Sequence, residues 1–242
     1  MAISSIEWTE MTWNPTTGCT KISSGCKNCY AEIMTRRLIA MGQKKYAAGF
    51  NKIVTHHNTL LVPYKWKTSK MIFVNSMSDL FHKDVPINFI KQVFKVMNEN
   101  PQHIFQILTK RAKRLFELHE KLNWTDNIWM GVTIENKDVI DRLEYLRKIN
   151  AKIKFISLEP LLDSLGKLNL SKVDWVIVGG ESGFNSRLIN SEWVKDIKEQ
   201  CKQKNIPFFF KQWGGKNKKA AGRLLNGKIY SEMPKCFSSQ FS

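Results

Sequence analysis

Acidic side chains are scarce in this sequence. Its 242 residues hold 21 Asp and Glu against 38 Lys and Arg, a formal net charge of +17 and a predicted isoelectric point near 9.7. No apolar run approaches the ~20 residues that span a bilayer, so no transmembrane helix is expected. The opening residues, MAISSIEWTE, have neither the basic start nor the apolar stretch of a signal peptide. The expectation is a soluble, cytoplasmic chain with no membrane partner. No helix-turn-helix, zinc-finger or RNA-binding signature is present, and no glycine-rich dinucleotide fingerprint. Disorder is excluded by the 43% hydrophobic and 11% aromatic content, enough for a real core. The length suits one domain of barrel size, or two small ones.

The basic excess is uneven. Residues 1–70 carry ten basic and three acidic side chains, and residues 211–242 carry seven and one, so most of the net charge lies in the two terminal stretches. A polyanion such as a nucleic acid would be drawn to such a surface. Thirty of the 38 basic residues are Lys in a chain rich in Ile and Asn. An AT-rich genome yields that composition without selection, so charge alone leaves nucleic-acid contact open.

Five cysteines are present, three of them within eleven residues: Cys19-x6-Cys26-x2-Cys29, followed by Tyr30. An odd, clustered count is no disulfide framework. Cys201 shares a helical face with Trp193, Val194 and Ile197 and reads as core; Cys236, near the chain end, carries no specific expectation. Three readings of the cluster stay open. Three thiolates can hold a four-iron, four-sulfur cluster and leave one iron for an exogenous ligand. They can hold zinc with His56, His57 or His82 as the fourth ligand. They can also be buried thiols without metal.

From residue 71 onward, short apolar runs alternate with amphipathic stretches. The runs are Met71–Asn75, Ile104–Leu108, Ile128–Thr133, Lys154–Ser157, Trp175–Val178 and Pro207–Phe210. Continuous apolar runs of this length suit strands buried on both faces of a parallel sheet. Helices are expected over 88–98, 111–122, 137–149 (with Asn136 as N-cap) and 191–204 (with Ser191 as cap), and a loop joins Ser157 to Trp175. The alternation predicts an α/β fold, a partial or complete (β/α) barrel, with a doubly wound open sheet as the alternative. Asn226-Gly227 predicts a tight hairpin turn. The expected division is a barrel over 1–215 with the cysteine cluster at its N-terminus, and a C-terminal hairpin extension and tail over 216–242.

Polar residues recur where the expected strands end, which in a parallel barrel is the functional face. They are Asn75, Ser76, Ser78, Asp79 and His82; Thr109, Lys110 and Arg111; Thr133, Glu135 and Asn136; Ser157 and Glu159; Gly179, Gly180, Glu181, Ser182 and Arg187; and Lys211, Gln212 and Trp213. Strand ends face solvent in any protein and are polar for that reason alone. Recurrent carboxylates two or three residues past an apolar run need more, and with the arginines and lysines they suit a zwitterionic ligand. Consecutive Gly179 and Gly180 permit close backbone approach. Trp8, Trp13 and Trp213 are expected at the cavity mouth.

The segments WNPTTGC (13–19), GCKNCYAE (25–32), FVNSMSDLFH (73–82), QILTKR (106–111), WMGVTIEN (129–136), ISLEPLL (156–162), WVIVGGESG (175–183) and FFFKQWGG (208–215) together resemble a phage-associated family of uncharacterised proteins with a three-cysteine motif. That family is similar to radical S-adenosylmethionine (SAM) enzymes, which build a partial (β/α) barrel around a three-Cys iron–sulfur cluster. The resemblance implies a [4Fe–4S] cluster on Cys19, Cys26 and Cys29, with SAM completing the open iron. It implies cofactor contacts from Tyr30, Asn75, Ser76, Ser78, Asp79, Thr133, Glu135, Glu159, Gly179 and Gly180. Glu181, Arg187 and Lys211, with Lys110 and Arg111, would face the substrate. The implied partners are an external electron donor and a nucleotide or nucleic-acid substrate. This chain departs from the common pattern in its six-residue first gap, and its Gly-Gly-Glu follows a late strand. The alternative function is a zinc-stabilised nucleic-acid-binding module without catalysis.

Overall fold

Each apolar run is a strand in the computed structural model, which describes residue 4 and residues 6–235. The strands are β1 (Met11–Trp13), β2 (Thr16–Thr17), β3 (Val54–Thr55), β4 (Met71–Val74), β5 (Ile104–Thr109), β6 (Ile128–Thr133), β7 (Ile153–Leu158), β8 (Trp175–Gly179) and β9 (Phe208–Gln212). The helices are α1 (Tyr30–Ala40), α2 (Ile87–Asn98), α3 (Ala112–Leu118), α4 (Arg142–Arg147), α5 (Ser191–Gln203) and α6 (Lys218–Ala221). Seven strands form one parallel sheet in the order β1-β4-β5-β6-β7-β8-β9, and β2 and β3 form a separate antiparallel pair. Every main-sheet strand pairs with the next one along the chain. That is the winding of a (β/α) barrel, not of a doubly wound sheet, whose strand order reverses.

The sheet is curled and open. Trp8 lies with its ring 4.8 Å from Phe73 of β4 and 6.2 Å from Trp175 of β8, so those two rings are at most about 11 Å apart. In a flat sheet β4 and β8, four strands apart, would be separated by about 19 Å. The first and last strands, β1 and β9, are not joined, so the barrel is partial. Phe73, Trp129, Phe155, Trp175, Ile177 and Phe209 fill the concave face together with Trp8. The larger cluster lies on the other face, where α2 brings Phe89, Ile90, Val93, Phe94 and Met97.

Boundaries differ in instructive ways. Helix α4 is shorter than its periodicity, because Lys137–Val139 forms a separate 3-10 turn. Asn136 does not cap it, since its amide nitrogen donates to Asp138. Asn190, not Ser191, caps α5, its side chain accepting from the Glu192 N–H. No helix joins β7 to β8. Trp8 and Trp13 are buried in the two cores, not at the mouth, and Trp213 packs against Phe210. Asn226 and Gly227 have positive φ and are flanked by a single Leu225–Lys228 bridge. Leu225 belongs to the main core, so this turn is packed onto the barrel. Cys236 lies outside the described residues, and among those described no helix is long and apolar enough to cross a membrane.

Candidate iron–sulfur site at the barrel mouth

Strand alternation builds the mouth. Phe73, Trp129, Phe155, Ile177 and Phe209 face the lumen. With a side-chain period of two, the lumen-facing positions further along are Asn75, Thr133, Ser157, Gly179 and Lys211. Past the strand ends come Glu135, Glu159 and Glu181. The lumen is therefore apolar at its base and polar at the C-terminal ends of the strands.

The three cysteines lie on the loop between β2 and α1, over this mouth. Cys26 ends a 3-10 turn and Cys29 immediately precedes α1, where its carbonyl accepts from Ile33 N–H. Cys19 and Cys29 border a small cluster of Ala31, Phe50 and Met77. All three thiols are half-buried and free, and Cys201 is in the core as expected.

Three strand ends grip this loop directly, and a fourth backs one of them. From β6, Glu135 Oε1 accepts from Gly25 N–H at 3.2 Å, while its Oε2 accepts from Arg142 at 2.9 Å. A Cβ at Gly25 would lie 2.9 Å from the Glu135 carboxyl carbon, so glycine is what lets the backbone reach it. From β8, Glu181 Oε2 accepts from Asn28 Nδ2 at 2.9 Å and from the backbone and Nε of Arg187. From β4 and β5, Asp79 and Arg111 form an ion pair at 2.9 Å. Arg111 also donates to the Thr20 carbonyl (2.9 Å) and approaches Cys19 Sγ at 3.6 Å. Charge-assisted hydrogen bonds of this kind contribute roughly 1.5–3 kcal/mol each.

The zinc arrangement with a histidine ligand is not formed. His56 Nε2 bonds Thr17 Oγ1 at 2.8 Å, and His82 Nε2 bonds Thr20 Oγ1 at 2.7 Å. His57 packs edge-on against Phe89. Among the described residues no three His, Cys, Asp or Glu side chains gather closely enough for a single metal ion. The donor set fits a cluster: three sulfurs on one loop, with no carboxylate ligand among them and one guanidinium beside Cys19. Burial pushes the Cys19 thiol up to about 11, and Asp79 pushes the same way against Arg111. Loading a metal there displaces a proton.

The other residues named from sequence divide into groups. Tyr30 hydroxyl donates to the Ser76 carbonyl. Ser76 and Ser78 hold the β1–β2 segment through Asn14 and Thr16. Asn75 accepts from Thr16 N–H, but its buried amide nitrogen has no partner in the structure, an unused donor beside the mouth. Both oxygens of Asp79 are taken, by Thr109, Arg111 and backbone N–H groups. The Thr133 carbonyl accepts from Arg142. Glu159 accepts from Ser157 and pairs with Lys211 at 3.1 Å. Thus Glu181 and Arg187 form one unit and Lys211 belongs to another. The glycine pair serves packing: a Cβ at Gly179 would lie 2.7 Å from Glu159, and one at Gly180 1.9 Å from the Trp213 carbonyl.

Asn14, Asn28 and Arg142 were not singled out by sequence. Asn28 sits between Cys26 and Cys29, the one signal that could have marked it. Arg142 reads as an ordinary helix cation until the fold buries it against Glu135. A cavity of about 740 Å³ flanks the loop between α3 and α4, lined by Thr20, Ile22, Lys83, Lys110 and Lys113 among others. Lys110 and Arg111 border that cavity.

Among solved structures, similarity is found to a spore photoproduct lyase variant with bound AdoMet and dinucleoside spore photoproduct (14% identity, 79% of this chain and 61% of that one, TM-score 0.44). A second variant with the dinucleoside photoproduct matches at 13% identity over 76% of this chain and 58% of that one, TM-score 0.44. This chain spans about three-fifths of the length of those proteins. No curated protein matches. The family described as "Protein of unknown function (DUF5131)" matches residues 3–234. With nearly the whole length matched, the chain belongs to the DUF5131 family.

Proposed function

We propose that this chain is a radical SAM-type iron–sulfur enzyme acting on a nucleotide or a nucleic-acid base. One observation carries the reading: three free thiols share a loop that three strand ends fasten over the mouth of a partial (β/α) barrel. When bound, the cluster and SAM would supply the one-electron chemistry of a 5′-deoxyadenosyl radical, which would take hydrogen from the substrate. Cys19, Cys26 and Cys29 provide three sulfur ligands, and an external one-electron donor is required.

The remaining roles belong to the protein's own groups. Glu135 and Glu181 hold the cysteine loop through Gly25 and Asn28. The unused Asn75 amide and the Glu159–Lys211 pair offer a donor, an acceptor and a cation to a zwitterionic amino acid moiety. Arg111 offsets the negative charge that ligation creates at Cys19. The aromatic base of the lumen closes the far end and keeps water out. The basic terminal stretches support a polyanionic substrate. Residues 1–215 carry this chemistry and 216–242 extend it. The cytoplasm, where thiols stay reduced, is the fitting compartment.

The test is anaerobic reconstitution with iron and sulfide, followed by reduction in the presence of SAM. The expected result is a coloured protein with about four irons per chain, SAM cleavage, and loss of both in Cys26→Ala. A colourless wild-type protein that leaves SAM intact defeats the proposal.

A further inference from the structure

The loop after β8 displays the two most exposed large apolar side chains among the described residues, Phe184 at 78% and Leu188 at 89%. Leaving a phenylalanine in water forgoes the free energy of burying its ring. Nothing in the fold requires it. The loop is also well anchored. Gly183 N–H donates to the Gly215 carbonyl at 3.1 Å, and Ser186 N–H to the Gly183 carbonyl at 3.2 Å. Arg187 N–H donates to Glu181, and Asn28 Nδ2 donates to the Asn185 carbonyl at 2.8 Å. Asn28 lies between Cys26 and Cys29, so the residue beside Phe184 is tied directly to the cysteine loop.

The surroundings are cationic. Lys216 Nζ lies 4.6 Å from the Phe184 ring centroid, and the segment from Lys211 to the chain end has seven basic residues against Glu232 alone. An exposed aromatic ring beside an ammonium group matches a strand that offers both a base and a phosphate. A duplex buries its base faces in its own stack, so the match is to an unpaired base. A protein interface is the poorer fit. Two exposed apolar side chains fall far short of the roughly 800 Å² per partner of a stable contact.

We propose that Phe184 is a stacking platform for an unpaired base of a nucleic-acid strand, with Lys216 taking an adjacent phosphate. Through Asn28 the platform holds the stacked nucleotide beside the cysteine loop. This deepens the proposed function by naming the substrate's state, and its test needs no cluster.

The experiment uses the full chain without added iron. Oligonucleotides carry 2-aminopurine as a single strand, paired in a duplex, or unpaired opposite an abasic site. Binding is followed by anisotropy, and stacking by quenching of the 2-aminopurine emission. The expected result is quenching of the single-stranded and unpaired probes and none of the paired one. Phe184→Ala should lose the quenching and weaken binding roughly tenfold, and Phe184→Trp should retain both. Lys216→Gln should lower the salt dependence by about one counterion. If Phe184→Ala quenches and binds as the wild type does, or the paired probe is quenched equally, the platform is overturned. Iron and sulfide content, measured separately, reports on the radical SAM reading, so either idea can fail alone.

Discussion

Glu135 and Gly25, 110 positions apart in sequence, meet in a 3.2 Å hydrogen bond that docks the cysteine loop on the end of β6. The same carboxylate neutralises Arg142, and Glu135 is fully buried. One side chain thus links the outer helical layer, the strand and the candidate metal loop.

Removing that carboxylate should be costly. Glu135→Ala leaves the Arg142 guanidinium buried without its partner, and the expected loss is about 3–5 kcal/mol in urea unfolding. Gly25→Ala separates docking from folding, because its added methyl only pushes the loop away from Glu135. It should unfold within about 1 kcal/mol of wild type yet retain iron roughly tenfold more weakly. Unchanged iron retention in Gly25→Ala would show that docking at Gly25 does not shape the site.

Glu181 makes stability depend on pH at the acid end. Burial alone would raise its carboxyl, but hydrogen bonds from Arg187 and Asn28 outweigh that and hold it below its ordinary 4.5. A depressed folded value gives stability that is complete above the unfolded value. It is lost as pH falls from about 4.5 through the lower folded one. Glu181→Gln should flatten that part of a melting-temperature profile recorded between pH 3 and 6. Asn28→Ala should shift it less, since Arg187 remains. Parallel acid limbs for wild type and Glu181→Gln would disprove the linkage.

Cys19 should be slow to alkylate in the metal-free protein. Burial, then Asp79, raises its thiol to about 11, so iodoacetamide labelling should climb about tenfold per pH unit from neutrality toward that value. Arg111→Gln removes the one cation opposing the rise and should slow labelling further. Peptide mass mapping reads the rate site by site. Faster labelling of Cys19 in Arg111→Gln would contradict the arrangement.

The strands and main helices were legible because buried parallel strands are continuously apolar and the helices carry period-3.6 faces. Ile128–Thr133 was read to the residue as β6. The short strands β1, β2 and β3, of three, two and two residues, have too little pattern to show. Strand β1 exists because its neighbour β4 offers an edge, with Met11 beside Ile72 and Trp13 beside Val74. The shortening of α4 was also invisible, because Arg142 turns to the Thr133 carbonyl and Glu135.

Sequence alone determined the class of fold, the cysteine loop and the polar strand ends, since spacing and hydrophobic period are local properties. Only the tertiary structure decided what those polar groups hold. Glu135 and Glu181 look alike in the chain as possible ligand contacts, yet each clasps the cysteine loop through a residue more than a hundred positions away. Such pairings arise when a sheet curls and brings distant strand ends around one opening. A one-dimensional pattern carries no record of that curvature.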